Sequence, residues 1–280
     1  MIEIKNLRKR YDDGTVALKG INLKINEKVA TVIGRNGAGK TTMMRILSTQ
    51  LLPTSGTAKI KGYDVVKEPE RIRRIAVSIP QEAGPLGFLT PMEHLLMYLA
   101  ARKVPVLEAR QDAAKALREI ELWDARNTPA DMLSGGMKRK IFVAMALASN
   151  AEVVFLDEPT TGLDPLSRLE VWSAIKLLDS EMVITTHYME EAQELSKEVV
   201  MIEGGKCVSH GNVASMLKKF NGLVRAETNR PGAKTRYRVG SMGIDYIKKG
   251  EALDYIKEGY AIKQITLDDL FVMKGVELES

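Results

Sequence analysis

Residues 29–42 read Val29-Ala30-Thr31-Val32-Ile33-Gly34-Arg35-Asn36-Gly37-Ala38-Gly39-Lys40-Thr41-Thr42. The first five are apolar or β-branched without alternation, which predicts a strand covered on both faces, the situation of strands in a parallel sheet. Gly34 to Thr41 then fit the pattern G-x-x-x-x-G-K-[ST] and run directly into a segment of helical pattern. Glycines let such a loop curl so that successive backbone N–H groups, here from Gly34, Arg35, Asn36, Gly37, Ala38 and Gly39, point at phosphate oxygens. The helix behind the loop turns its positive end to the same anion. Lys40 is then placed to reach the outer phosphates, the Thr41 hydroxyl to ligate Mg²⁺, and Thr42 to complete the set. A strand, this loop and a helix in that order predict an α/β phosphate-binding fold.

Outward from the loop, Ile2, Ile4, Ile21, Leu23 and Ile25 alternate with polar residues and predict an antiparallel layer with one wet face. Strand-like segments follow at Thr57 to Lys61, Glu152 to Leu156, Glu181 to Thr186 and Glu198 to Ile202. Helical stretches at Pro165 to Leu178 and Met189 to Leu195 lie between the last three, a spacing that predicts parallel pairing. From Thr90 the apolar period lengthens through Leu95, Leu96, Leu99, Ala113, Ala116, Leu117 and Ile120, which predicts a helical insert over about 86–150. A short helix around Val213 to Phe220 closes the main body. The segment after Asn221 is rich in Arg225, Arg230, Lys234, Arg236 and Arg238 around an Asn229-Arg230-Pro231-Gly232 turn, and is read as a small appended unit. The domain expectation is therefore 1–220 for the main body and 221–280 for the appendage.

Two further stretches carry chemistry. Val153-Val154-Phe155-Leu156-Asp157-Glu158-Pro159 puts two acids at the carboxyl end of an apolar strand, where open parallel sheets bind ligands. Asp157 is placed to hold a metal shell and Glu158 to accept a proton from an attacking water. In Leu133-Ser134-Gly135-Gly136-Met137-Lys138-Arg139-Lys140, Ser134 is a good N-cap, yet three cations occupy a first turn whose dipole favours acids. Local physics leaves two readings open there: a polyanion docking at the helix start, or a solvated basic face.

Composition agrees with a folded protein of one large domain and an appendage: 280 residues, 45% hydrophobic and 28% charged. The longest apolar run, Ile141 to Ala148, is far short of the ~18–20 residues of a membrane-spanning helix, and the opening Met1-Ile2-Glu3-Ile4-Lys5 has no signal-like apolar stretch. The chain is expected not to cross a bilayer by itself. Its single cysteine, Cys207, excludes an internal disulfide and fits a reducing compartment. A net charge of +5, from 41 basic and 36 acidic residues, is weak support for an anionic partner.

Together these motifs resemble the ATP-binding cassette ATPases, the nucleotide-binding subunits of ABC transporters, over roughly residues 2–215. Three other elements of that family stand in order around them: Tyr11, Gln81 in Ser78-Ile79-Pro80-Gln81, and Leu163-Asp164 in Gly162-Leu163-Asp164-Pro165. His187, after Ile184-Thr185-Thr186, is a fourth. The resemblance implies a P-loop fold of ABC type: a mixed and parallel sheet core, an antiparallel β layer, an inserted α-helical subdomain and a small C-terminal extension. It also implies ATP and Mg²⁺ as ligands. Tyr11 would stack on adenine, Ser134, Gly135 and Gly136 would bind ATP held by a second subunit, and Thr41, Gln81 and Asp157 would hold the metal. Glu158, His187, Lys40 and Gln81 would serve hydrolysis. Met137 departs from the glutamine usual in the family, which puts any amide contact there in doubt.

The implied partners are a second cassette subunit, with a homodimer expected, and a transmembrane permease that holds the chain at the cytoplasmic face of the membrane. Ile265-Thr266-Leu267-Asp268-Asp269-Leu270-Phe271 and Met137 resemble the branch that exports drugs, sodium, polysaccharide or lipid-linked cargo. Cassette proteins of translation and DNA repair form the alternative class. A single phosphate loop and a short helical insert without sustained heptads argue against it, and no nucleic-acid partner is expected.

Overall fold

A computed structural model describes residues 2–230 and 232–277, with side chains through residue 273. Two compact units divide the chain, Met1–His210 and Gly211–Ser280.

The first unit contains two sheets. In the antiparallel one, β1 (Ile2–Arg10) lies between β2 (Val16–Ile25) and β4 (Ser55–Ile60), with the two-residue β5 (Tyr63–Asp64) at the edge. Ile2 stands opposite Ile25 and Ile4 opposite Leu23, so the alternating apolar residues share one buried face. The six-stranded sheet has the order β10-β9-β3-β8-β7-β6, formed by β3 (Val29–Ile33), β6 (Ala76–Ile79), β7 (Val153–Asp157), β8 (Glu181–Thr186), β9 (Glu198–Glu203) and β10 (Lys206–Asn212). Neighbours from β9 to β6 pair in parallel.

Strand β7 shows why its sequence does not alternate. Val153 and Phe155 enter one core with the antiparallel layer and α1 (Lys40–Leu47), while Val154 and Leu156 enter a second core with helices from the other side. Those helices include α3 (Pro91–Ala101), α4 (Val106–Glu119), α5 (Gly135–Ala148) and α6 (Pro165–Lys176), whose apolar faces make one cluster. Thr90 starts α3 with a capping box: its hydroxyl accepts from Glu93 N–H and the Glu93 carboxylate accepts from Thr90 N–H. His94 is buried, with Nε2 accepting from Leu86 N–H at 2.9 Å. The short α2 (Pro69–Ile75) and β6 were not singled out in the sequence. Both are brief, and α2 has only Ile72 buried.

The second unit is a four-stranded antiparallel sheet of order β12-β13-β11-β14, from β11 (Leu223–Thr228), β12 (Tyr237–Val239), β13 (Met242–Lys248) and β14 (Ala261–Lys263). It also holds α8 (Val213–Leu217), α9 (Ala252–Lys257) and α10 (Asp268–Glu277). The unit starts at Gly211, and within it Phe220 stacks on Tyr246 with ring centroids 5.0 Å apart. Of the proposed turn at 229–232, Pro231 lies outside the described residues.

Ion pairs hold Arg225 within the second unit. Its guanidinium pairs with Glu227 and, at 3.1 Å, with Asp269, and Lys263 closes on Glu227 at 2.7 Å.

Candidate functional site

The phosphate-loop motif occupies the turn between β3 and α1. Gly34 packs so closely that a Cβ there would stand 2.3 Å from the Ile202 carbonyl oxygen, and Gly39, at φ +106°, would meet the Ala17 oxygen at 2.6 Å. Both positions therefore require glycine for space, and Gly39 for its backbone as well. Helix α1 has no side-chain cap and no acid in its first turn, so its leading N–H groups and the positive end of its dipole are left for an anion.

A cleft of about 380 Å³ opens beside this loop, lined by Asn36, Gly37, Gly39, Lys40, Thr41 and Thr42 together with Tyr11, Thr15, Val16, Ala17, Gln81 and Glu158. That is within the range of a small-molecule site. The structure thus brings Tyr11 and Gln81, distant in sequence, to the same cleft as the loop. Tyr11 approaches the loop's helix through its hydroxyl, 3.1 Å from the Thr42 hydroxyl.

At the floor, Lys40 is only 4% exposed and donates to the carbonyls of Gly34 at 2.8 Å and Arg35 at 3.3 Å. It also pairs with Glu158 Oε1 at 3.2 Å. The other carboxylate oxygen of Glu158 accepts the Thr161 hydroxyl at 2.9 Å and lies 3.0 Å from His187 Nδ1. Burial pushes the Glu158 carboxyl up, but the Thr161 hydrogen bond, the Lys40 ammonium and His187 outweigh it and hold the group below its ordinary value. Glu158 also sits at φ +49°, left-handed for a residue with a Cβ. Its N–H is held there by both the carbonyl and the hydroxyl of Thr185, each at 3.0 Å.

Asp157, the last residue of β7, is buried and accepts the Thr41 hydroxyl at 3.3 Å and that of Thr185. A hydroxyl and a carboxylate side by side are hard oxygen donors that fit Mg²⁺. Among the described residues no three His, Cys, Asp or Glu form a metal cluster.

Ser134, Gly135 and Gly136 do not line this cleft. They lie against the segment before and within α6: a Cβ on Gly135 would stand 3.2 Å from the Leu163 side chain, and one on Gly136 3.0 Å from Ser167. Ser134 caps α5 through Met137 N–H at 3.2 Å, and the Met137 side chain packs on the helical core. Each of the three cations that follow has a partner within the chain. Lys138 donates to Asp131 O at 3.4 Å and Lys140, buried, pairs with Glu170 at 3.4 Å. Arg139 donates to the carbonyls of Gln81 at 2.9 Å and Ala83 at 3.1 Å, tying α5 to the Gln81 loop.

Sequence reasoning missed Thr15–Ala17 on the cleft wall, Thr161 and Thr185 around the acids, and Arg139 behind Gln81. Only Thr161 had a local signal, a hydroxyl three residues beyond a candidate base.

A family model described as ABC transporter matches residues 18–161, more than half the chain. The daunorubicin/doxorubicin resistance ATP-binding protein DrrA of Streptomyces peucetius is 36% identical over 77% of the chain and 66% of its own length. The doxorubicin resistance ATP-binding protein DrrA of Mycobacterium tuberculosis is 38% identical over 75% of the chain and 65% of its own length. The chain thus spans just under two thirds of both relatives.

Among solved structures, a dimeric post-hydrolysis state of the ATP-binding cassette MJ0796 bound to ADP and Pi matches with a TM-score of 0.67 at 26% identity. That match covers 76% of this chain and 98% of the other. The chain belongs to the ABC transporter family, and its first unit is an ATP-binding cassette of the α/β P-loop class.

Proposed function

We propose that this chain binds and hydrolyses ATP as the motor subunit of an ABC transporter, closing as a dimer on ATP and driving a separate membrane permease. The observation that carries the reading is that Lys40, Thr41 and Glu158 line one cleft, with Asp157 bonded to the Thr41 hydroxyl and His187 to the Glu158 carboxylate. Glycine-loop amides and Lys40 bind the phosphates, and Tyr11 offers its ring to the base. Thr41, Asp157 and Gln81 would hold Mg²⁺, which would supply positive charge against the phosphates. Glu158 accepts a proton from water as the water oxygen bonds to the γ-phosphorus, the bond to the β-phosphate oxygen breaks, and ADP carries away that electron pair. His187 steadies Glu158 and faces the γ-phosphate.

Because Ser134–Gly136 stand apart from the cleft, their role is assigned to ATP held by a second copy. ATP then acts as the anion that joins two subunits, and hydrolysis releases them. The DrrA relatives support assignment to the export branch. Among the described residues no helix is long and apolar enough to span a membrane. The proposed permease would hold the chain at the cytoplasmic face.

Glu158→Gln is expected to bind ATP, to run as an ATP-dependent dimer on size-exclusion chromatography and to release little phosphate. Tagged and purified from detergent-solubilised membranes, it is expected to bring down a multi-span protein. Phosphate release at the wild-type rate would remove Glu158 from the role of base.

A further inference from the structure

Glu191, in α7 (Met189–Leu195), is fully buried and its carboxylate meets no cation among the described residues. One oxygen, Oε1, accepts two bonds at once: from the Thr160 hydroxyl at 2.7 Å and from the Trp172 indole N–H at 2.8 Å. The other, Oε2, is buried without a hydrogen-bond partner among the described residues. A carboxylate kept in the interior with an idle oxygen works against folding, and an apolar side chain of the same size would serve stability better. Its purpose is therefore sought in what the two bonds hold together.

They hold the two arms of the candidate catalytic group. Thr160 is buried in the turn that leaves β7, next to Thr161, whose hydroxyl donates to Glu158 Oε2. Glu191 itself is four residues past His187, whose Nδ1 lies 3.0 Å from that same oxygen. Trp172 brings in α6, which also reaches this segment by stacking Arg168 over Tyr188, 4.0 Å from the ring centroid. Two segments separated by 31 residues of chain, Thr160 and Glu191, thus meet at a single oxygen atom, with α6 as the third contact.

We infer that Glu191 is a positioning residue for hydrolysis: by fastening Thr160 and Trp172 to α7 it sets the spacing at which Thr161 and His187 converge on Glu158. The inference rests on the reading of Glu158 as the proton acceptor. It predicts that the carboxylate oxygen matters and its charge does not, since a glutamine oxygen can accept the same two bonds.

The test uses the full chain carrying Glu191→Gln, Glu191→Met or Thr160→Val, with Glu158→Gln alongside. Thr160→Val preserves shape and keeps the question answerable if Glu191→Met folds poorly. Glu191→Met and Thr160→Val are expected to lose kcat by roughly tenfold or more, with the KM for ATP within about threefold of wild type, the pattern of misaligned chemistry and intact binding. The double variant is expected to be little worse than either single one, because both cut the same link. Glu191→Gln is expected to restore kcat to within about threefold. In a Trp123→Phe background the sole remaining indole N–H resonance, that of Trp172, is expected to shift in Glu191→Met and to stay near its position in Glu191→Gln.

Wild-type kcat in both Thr160→Val and Glu191→Met, with Glu158→Gln inactive, overturns this inference and leaves the reading of Glu158 standing. A Glu191→Gln as damaged as Glu191→Met also overturns it. Full hydrolysis by Glu158→Gln overturns both.

Discussion

Glu158 combines a left-handed backbone with a carboxylate held by three side chains, and both features trace to its neighbours. Two bonds from its N–H to Thr185 keep φ at +49°, and local strain of this kind persists where surrounding structure enforces it. Burial raises the carboxyl, while Thr161, Lys40 and His187 lower it further than burial lifts it. A group whose folded value is depressed contributes stability that is fully present above its unfolded value of about 4.3 and is lost as pH falls through the lower folded value. Thr161→Val removes one hydroxyl donor and should raise the folded value. The acid limb of the kcat–pH profile is then expected to move upward. Stability should fall at neutral pH, and its further loss on acidification should become shallower. An acid limb that stays in place in Thr161→Val would separate the limb from Glu158.

Helix α5 shows how an element can look like one thing in sequence and serve another in the fold. In sequence its opening cations leave open a docked polyanion or a solvated basic face; in the fold Arg139 is desolvated enough that burial pushes its guanidinium down, and it gives two donors to the carbonyls of Gln81 and Ala83. Charged hydrogen bonds of this kind contribute about 2 kcal/mol in total once water competes for the carbonyls. Arg139→Ala is therefore expected to lower the urea midpoint without changing the m-value, and to speed hydrogen exchange selectively at residues 81–84. Uniform exchange would show that the link carries no local order. The phosphate loop, the acidic strand and the Ser134 cap were legible because each writes its chemistry within a few adjacent residues. Arg139 and Thr185 were not, because their partners Gln81 and Asp157 lie 58 and 28 residues away and pairing across that distance leaves no local period. Core strands follow the same rule: β7 announces itself by an unbroken apolar run, whereas β11 mixes Arg225, Glu227 and Thr228 into a strand whose last three residues are buried, which leaves no apolar period to read.

At the scale of the whole molecule, the two units solve the burial problem differently. The first has enough chain to build two apolar cores around one sheet. The second, Gly211–Ser280, is of a size at which a hydrophobic core alone rarely supplies more than roughly 3–5 kcal/mol. It adds a polar hub at Asp269, fully buried, which accepts from Thr266 N–H at 2.7 Å, the Tyr246 hydroxyl at 2.8 Å and Arg225 at 3.1 Å. Burial, and then the adjacent Asp269, push the Tyr246 phenol up, so it stays protonated and can donate throughout the physiological range. Removing one member of a buried ionic group costs roughly 3–5 kcal/mol because the remaining members stay desolvated. Asp269→Ala should thus consume most of the unit's stability, and Tyr246→Phe, which loses one neutral donor, only about 1 kcal/mol. The expected outcome is that amides of β11 and β13 lose their exchange protection in Asp269→Ala and largely keep it in Tyr246→Phe. ATP affinity should hold in both, because every residue lining the cleft belongs to Met1–His210. Unchanged protection of Leu223–Thr228 in Asp269→Ala would mean that the apolar contacts of Phe220, Tyr237 and Ile244 hold the sheet without the hub.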